Sequence, residues 1–484
     1  MTETQRRIGL FVCLVTIVLA VLDTQIVSAA TVPIVRDLDP EHGIGKIPWL
    51  VSAYALASAA VLPLYGRLCD AFGAKRVLLG AIATFLAGSA LCGAARTIGE
   101  LIAARAVQGL GAGGLMSVTM VVLAQLNDPG EKSRGGRNAG MGGVVAGGGM
   151  ALGPWIGGLL ADHADWRWVF YINLPLGLLV LAVGALVLKL PRQEVKHAID
   201  YLGAALAAAF STALLLVTDW GGKKYAWSSP EIAGLLVTGV AALVLFLHRQ
   251  RTAAEPILPL SMFRIPELRW GFAVQALMGA AMTGAIYYVL LYVQIARGVP
   301  SSSAGLYLLP LAVGMTAVGI ATGRLADRGW SARTFAISGA AVSCAAFLLL
   351  STTDPHTSLW QLRAALVLMG VGFGQLLGQL IQLVQDAAPR HQLGVATTAI
   401  RFFQTLGTAV GASLFGTIVI RLYDGPGGTP DAVPHLTGTA RTAGIEAYVS
   451  ATDTVFLCAA AVMALCVLLA SRLPKTRVRE AVPA

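Results

Sequence analysis

Apolar residues occur along this chain in long runs that charged residues rarely interrupt. Fourteen windows of about 20 mostly apolar residues can be drawn, and this is the length that an α-helix needs to cross the hydrocarbon core of a bilayer. The pattern therefore predicts fourteen membrane-spanning helices joined by short loops, the longest being 421–450, which is rich in Gly, Pro and Thr. The predicted spans are 8–34, 48–66, 77–95, 99–125, 138–161, 168–189, 199–219, 231–248, 271–295, 303–323, 334–352, 360–385, 394–420 and 451–471.

The composition also favours a membrane as the surrounding solvent. Of the 484 residues, 56% are hydrophobic and 12% are charged, and the mean hydropathy is +0.72. Soluble globular proteins carry about 25% charged residues, so this chain has too little polar surface to face water. The net charge of +10 is spread over short loops, so we expect no nucleic-acid partner. The six cysteines form no CxxC pair and predict neither a disulfide framework nor a metal site.

The distribution of basic residues predicts the orientation of the chain. Lysine and arginine are roughly twice as frequent in the loops on one side of the predicted spans as on the other, and cytoplasmic loops carry such an excess. An even number of spans places both termini on the same side. We therefore expect a multi-pass protein of the cell membrane with both termini in the cytoplasm.

An internal repeat relates the two ends of the chain. Residues 66–70 (GRLCD) and 323–327 (GRLAD) are identical at four of five positions. Residues 109–113 (GLGAG) and 370–374 (GVGFG) share the same glycine spacing. Repeated halves are typical of secondary transporters, whose substrates bind near the middle of the membrane between the repeats.

The repeat predicts three parts. Residues 1–190 form an N-terminal six-helix bundle and residues 251–484 form a C-terminal six-helix bundle. Two further membrane helices, within 191–250, are inserted between them. The predicted fold class is an all-α polytopic membrane protein.

Four segments carry motifs in chain order. They are residues 22–28 (LDTQIVS), 66–76 (GRLCDAFGAKR), 105–109 (RAVQG) and 149–158 (GMALGPWIGG). Together they resemble the motifs of the fourteen-helix drug–proton antiporters of the major facilitator superfamily, and the likeness extends over residues 8–471.

This resemblance implies a fold and a function. It implies the major facilitator fold and a secondary active transporter, which exports small amphipathic molecules such as drugs, antibiotics or metabolites in exchange for protons, by alternating access. The expected partners are a small-molecule substrate, protons and the lipid bilayer. We expect a monomer that is not an enzyme and needs no cofactor.

Asp23 and Arg105 are the predicted proton-coupling residues. Asp23 is the only carboxylate deep within a predicted span, and a low dielectric disfavours its charged form. Arg105, in the fourth span, is a permanent cation that can hold Asp23 ionised until a proton displaces it. The alternatives are a purely structural pair, or an arginine that reaches toward the outer interface.

The resemblance implies that the first, fourth, ninth and twelfth spans line a substrate cavity, and polar and aromatic residues on these spans and on the second are its predicted lining. Such a neutral wall suits an uncharged or modestly charged amphipathic substrate. The alternative at each position is hydrogen bonding between helices. These residues are Gln25, Tyr54, Gln108, Gln275, Tyr288, Tyr292, Gln375, Gln379 and Gln382.

By the same resemblance, the loop after the second span is a gate. Its predicted functional residues are Gly66, Asp70, Gly73, Lys75 and Arg76. The resemblance implies that Asp70 meets the N-terminal dipole of a helix from the other half, which we expect near Thr334. Such a contact is worth about 0.3–1 kcal/mol. The alternative is a loop whose basic residues only set the topology.

The fifth span carries the motif that resembles the antiporter signature. Glycines spaced by four lie on one helix face and permit close packing, and a proline can bend the helix. Its residues are Gly149, Gly153, Pro154, Gly157 and Gly158.

Two other functions stay open from the sequence. One is a proton symporter or importer of the same fold, against which the motif of the fifth span argues. The other is a non-transporting membrane sensor or the membrane part of an ATP-driven pump. The chain has no GxxxxGK[ST] segment, so we do not expect it to hydrolyse ATP itself.

Overall fold

The computed structural model contains thirteen helices that are long and apolar enough to cross a membrane, within the residues that it describes. Those residues are 2–39, 47–126, 165–188, 190, 200–222, 224–299, 305–428, 430, 433 and 436–474. The predicted fifth span, 138–161, lies outside them. The other thirteen predicted spans each coincide with a helix, so the predicted all-helical polytopic fold is confirmed.

The helices are labelled α1 to α13 in chain order. Predicted spans one to four are α1–α4, and spans six to fourteen are α5–α13. Their bounds are α1 Glu3–Leu38, α2 Ile47–Phe72, α3 Ala74–Ala94, α4 Ile98–Leu126, α5 Trp168–Tyr171 continued as Asn173–Val187, α6 Tyr201–Trp220, α7 Pro230–Thr252, α8 Pro266–Ile295, α9 Leu309–Asp327 preceded by a 3-10 turn at Gly305–Leu308, α10 Ala332–Leu350, α11 Leu359–Ala387, α12 Leu393–Leu422 and α13 Gly438–Ala470.

The last helix corrects one expectation. The predicted loop 421–450 is partly helical, because α13 begins at Gly438, well before the predicted span at 451. Hydropathy marks only the part of a helix that lies in hydrocarbon, and residues 438–450 include an arginine, a glutamate and two threonines that lower it. Tyr448 at this end is fully buried, so packing against the protein stabilises the extension.

Glycines set the close packing of the helices, and they do so equivalently in both halves of the repeat. In each half, one helix (α4 or α11) presents glycines at alternate positions to the two helices beside it. A methyl group at any of these positions would overlap an atom of the neighbouring helix. The contacts are Gly109 with Tyr54, Gly111 with Phe85 and Gly113 with Ser58, and in the second half Gly370 with Leu311, Gly372 with Ser343 and Gly374 with Met315.

The inserted helices α6 and α7 pack on each other, and α6 lies where the two halves meet. α6 contacts both α2 and α12, which also form the main contact between the halves. The Ser52 hydroxyl on α2 donates a hydrogen bond to the Asp219 carboxylate on α6, at 3.0 Å. Trp49 and Trp220 meet edge to face beside it, with ring centroids 5.7 Å apart. The inserted pair is therefore attached to α2 at one end.

Gly370→Ala should destabilise the protein, because the added methyl group meets the backbone of α9. Overpacking of this kind costs about 1–3 kcal/mol. Gly80→Ala on α3 is the matched control, since a methyl group there meets open space and alanine is the better helix former. Thermal unfolding of the two purified variants in detergent tests this. Equal midpoints for both would contradict the close-packing role.

Candidate functional site

A fully buried carboxylate, Asp23 on α1, is the centre of the candidate site. Its Oδ2 accepts a hydrogen bond from Arg105 Nη1 at 3.1 Å, and its Oδ1 accepts from Gln108 Nε2 at 2.8 Å and from Asn173 Nδ2 at 2.7 Å. Arg105 is 2% exposed and the other three residues are no more exposed than that. The negative charge is thus held by one cation and two amides from α4 and α5.

Arg105 points inward and is held from several sides. Its Nη1 also donates to the side-chain oxygen of Gln108 at 2.7 Å, and its Nε donates to the backbone oxygen of Leu50 at 3.3 Å. The guanidinium lies over the Tyr54 ring, 4.1 Å from the centroid, a favourable cation–π arrangement. The alternative in which Arg105 reaches for the membrane surface is therefore wrong.

Two members of this network were not predicted from the sequence. Asn173 on α5 bonds Asp23 directly, and its amide also donates to Ser89 Oγ on α3 at 3.1 Å. Ser89 in turn accepts from Gln108 and donates to the backbone oxygen of Phe170. An amide within an apolar helix is itself a signal, because polar groups in membrane spans are costly and generally have partners.

The predicted cavity residues of the first half separate into two cases. Tyr54 and Gln108 both belong to the Asp23 network. Gln25 lies on α1, but its side chain is outside the part of the chain that the structure describes.

In the second half, three glutamines keep amide groups without a hydrogen-bond partner among the described residues. Gln275 on α8 is fully buried, and neither of its amide atoms is bonded. Gln379 and Gln382 on α11 each leave one amide atom unbonded. Gly271 lies against Val384, and α8 and α11 run in opposite directions, so Gln275 and Gln379 lie at about the same depth.

The remaining cavity candidates are used for packing. Gln375 accepts a hydrogen bond from Ser338 Oγ at 2.6 Å and donates to the Val371 backbone oxygen, so it joins α10 to α11. The Tyr292 hydroxyl donates to the backbone oxygen of Asp354 at 2.7 Å. Tyr288 is buried within the core of the second half. Gln375 therefore fits the alternative of hydrogen bonding between helices, whereas Tyr292 attaches α8 to the loop before α11.

Asp70 contacts a helix N-terminus from the other half, but not the one expected. Its Oδ1 accepts from the backbone N–H of Gly394 at 2.8 Å, and its Oδ2 accepts from that of Val395 at 3.0 Å. These amides begin α12, so the expectation that Asp70 lies near Thr334 is wrong. The reason is local: Ser331 already caps Thr334, whereas α12 has no capping side chain of its own.

The rest of the predicted gate loop supports this contact. A methyl group at Gly66 would overlap Val395 and Thr398 of α12, so the glycine lets the two helices cross closely. Gly73 has φ of 85°, a left-handed conformation suited to glycine, and it makes the turn between α2 and α3. Lys75 donates to the backbone oxygen of Ala185 on α5 at 2.7 Å.

Arg76, the last predicted gate residue, is exposed. The motif of the fifth span lies outside the described residues, so Gly149, Gly153, Pro154, Gly157 and Gly158 stay predictions.

Comparison with known proteins extends the resemblance. The chain matches the sequence profile of the Major Facilitator Superfamily over residues 13–412. It is 36% identical over 428 residues to an uncharacterised MFS-type transporter of Mycobacterium tuberculosis, covering 86% of this chain and 62% of that protein. The chain thus spans less than two thirds of that relative's length.

Two relatives from Bacillus subtilis match over more of their length. The chain is 31% identical to multidrug transporter protein MdtP, covering 86% of this chain and 76% of the relative. It is also 31% identical to multidrug resistance protein 3, covering 84% of this chain and 78% of the relative.

Solved structures share the fold at low sequence identity. The human organic anion transporter MFSD10 has a TM-score of 0.68 at 15% identity, covering 97% of this chain and 100% of that chain. The proton:xylose symporter XylE has a TM-score of 0.64 at 14% identity, covering 99% of this chain and 98% of that chain. The family profile covers most of the sequence and the fold agrees with it, and the chain belongs to the Major Facilitator Superfamily.

Proposed function

We propose that this transporter is a proton-coupled antiporter that exports small amphipathic organic molecules across the cell membrane by alternating access. The observation that carries the proposal is the buried Asp23 carboxylate bonded to Arg105, Gln108 and Asn173. The names of the two Bacillus subtilis relatives support export of drug-like molecules.

Proton uptake at Asp23 would change the contacts among three helices. The ionised carboxylate accepts three hydrogen bonds, and those to a charged acceptor are stronger than neutral ones. A proton removes the charge that holds Arg105 and takes the place of one donor. The junction of α1 with α4 and α5 is then weaker, and Arg105 is released toward the substrate or toward a new position. Loss of the proton restores the junction.

The Asp70 contact supports a closed cytoplasmic side in the proposed transport cycle. In the predicted orientation, the end of α2 and the start of α12 face the cytoplasm, so Asp70 closes the cytoplasmic side. Separation of α2 from α12 would open the cavity to the cytoplasm, where an exporter loads its substrate. In this orientation both termini lie in the cytoplasm. Because one chain contains both halves, we also propose that the protein acts as a monomer.

An importer or symporter of the same fold is the second candidate. The similarity to XylE, a proton:xylose symporter, concerns the fold, and this fold therefore supports either direction of transport. Export is favoured because the two Bacillus subtilis relatives, each 31% identical to this chain, are named as multidrug proteins.

Asp23→Asn should leave the protein folded but abolish transport driven by a pH gradient, because an amide keeps the shape and cannot exchange the proton. Export of a monocationic dye from proteoliposomes under an imposed gradient measures this. Export at the parent rate by a well-folded Asn variant would exclude Asp23 as the coupling group.

Asp37→Asn is the matched control on the same helix. Asp37 lies beyond the membrane span, where a hydrogen bond from the Trp166 indole, at 2.9 Å, and another from Arg167 hold the pKa of its carboxyl below the usual value. It therefore stays ionised at neutral pH and carries no proton across. Export by the Asp37 variant should match the parent protein.

Asp70→Asn should reduce the turnover number with little change in apparent substrate affinity, because Asp70 lies at the gate and not at the Asp23 network. A charge–dipole contact of this kind is worth about 0.3–1 kcal/mol, which corresponds to a roughly two- to fivefold slower turnover. Initial rates over a range of substrate concentrations separate the two parameters.

Glu231→Gln removes a carboxylate from the first turn of α7, a helix N-terminus that does not lie between the halves, and should leave both parameters unchanged. A large affinity loss with normal turnover in Asp70→Asn would contradict a gating role.

Monocationic, zwitterionic or neutral amphipaths should be exported better than dications of similar size. The charges of Asp23 and Arg105 nearly cancel, the glutamines with unbonded amide atoms are neutral, and Arg401 adds a positive charge within α12. Each positive charge moved outward against an inside-negative potential costs about 2.3 kcal/mol per 100 mV. Competition between matched mono- and dicationic dyes for export tests this. A preference for the dication would require an acidic site, such as one that includes Asp453.

A further inference from the structure

A buried arginine forms an ion pair close to Asp70, at the end of α2 that faces the cytoplasm in the predicted orientation. Arg67, one helical turn before Asp70, forms an ion pair with Glu255. The Arg67 side chain is 4% exposed and that of Glu255 is 34% exposed. A cation buried to this extent is costly without a partner, so the position of Glu255 matters for the stability of this end of α2.

Glu255 belongs to the segment that joins the inserted helices to the C-terminal half. Three residues after it, the backbone N–H of Leu258 donates to the Gln250 side-chain oxygen at 2.9 Å. Leu258 and Phe246 of α7 are part of the apolar core of the C-terminal half, and Ile257 is 1% exposed. The segment therefore presents Glu255 from a surface fixed to the C-terminal half.

Apolar contacts place this segment next to the contact between Asp70 and α12. Ile257 and Leu258 lie in a crevice between the two halves, with Pro63 of α2 on one side and α12 on the other. The residues of α12 in this crevice are Val395, Thr398, Ala399 and Phe402. Val395 also donates its backbone N–H to Asp70. The Arg67–Glu255 pair and the Asp70 contact thus both join the C-terminal end of α2 to the C-terminal half of the protein.

The inserted pair and the segment that follows it therefore contact α2 at its two ends. At the outer end the contact is Ser52 with Asp219, and at the inner end it is Arg67 with Glu255. Movement of the inner end of α2 away from α12 preserves the first contact as a pivot, but it must separate the charges of the second.

We propose that Arg67 and Glu255 form a second latch of the cytoplasmic gate, which links the inserted helix pair to its opening. The proposal rests on the alternating-access part of the proposed function. It is independent of the substrate, of the proton and of the direction of transport. Asp70 holds the gate through a helix N-terminus, and Arg67 holds it through the segment after α7.

A native cysteine reports on the gate. Cys69 is 2% exposed, and it lies between Arg67 and Asp70 in sequence, against Gly394 of α12. In the full chain with the other five cysteines replaced by alanine, alkylation of Cys69 by N-ethylmaleimide requires opening of the gate. Arg67→Gln and Glu255→Gln should each accelerate alkylation roughly three- to tenfold, between the effects typical of exposed and of buried pairs.

The double variant and two further variants decide the result. Arg67→Gln combined with Glu255→Gln should react no faster than the faster single variant, because both changes remove the same contact. Asp70→Asn should also accelerate alkylation, and Glu267→Gln, which removes a carboxylate from the first turn of α8, should not. Size-exclusion profiles of all variants confirm folding, and Glu255→Gln alone carries the test where the arginine variant does not fold.

The latch would be overturned if the folded Glu255→Gln variant were alkylated at the rate of the parent protein. It would also be overturned if the acceleration in the double variant equalled the product of the accelerations in the two single variants. Alkylation needs neither a substrate nor a pH gradient. Failure of dye export under a gradient would therefore count against the proposed function while leaving this result in place.

Discussion

The cost of a charge in a medium without water is the constraint on which this structure depends. Asp23 lies where it cannot be hydrated, so the protein must supply every partner. It does so with Arg105 and Gln108 from α4 and Asn173 from α5. Satisfying one carboxylate thus fixes the mutual position of three helices. Under the proposed function, the same contacts are what a proton on Asp23 would weaken.

The same constraint acts on helix ends. The first turn of a helix leaves backbone N–H groups unbonded, and each needs an acceptor. α10 begins with its own acceptor, Ser331, and is therefore complete within its half. α12 begins without one and takes Asp70 from the opposite half. This carboxylate can cap α12 only while the halves are in contact, and a local capping requirement thereby becomes a contact between the two halves.

The sequence predicts those features that one helix determines by itself. Long apolar runs predict the spans, and a lone acid in a span predicts a buried cation such as Arg105 as its partner. Features that depend on how helices cross are harder to predict from the sequence. The helix that Asp70 reaches follows from which N-terminus lacks a cap, and the roles of Gln275 and Gln375 differ because only the latter meets Ser338. The extent of α13 was missed because hydropathy does not register helix outside the bilayer. Asn173 could have been predicted from its polarity alone.

The crossing at Gly66 has a consequence for energy conservation. Because this residue has no side chain, the α2 backbone lies against Val395 and Thr398 of α12, and at this crossing the halves meet with little side-chain volume between them. A continuous file of water molecules needs space and polar partners along its path, and contact this close excludes it. The crossing therefore leaves no room for a file of water along the α2–α12 seam while the halves are in contact. Under the proposed coupling through Asp23, such a seal limits proton leak, so that the gradient drives transport.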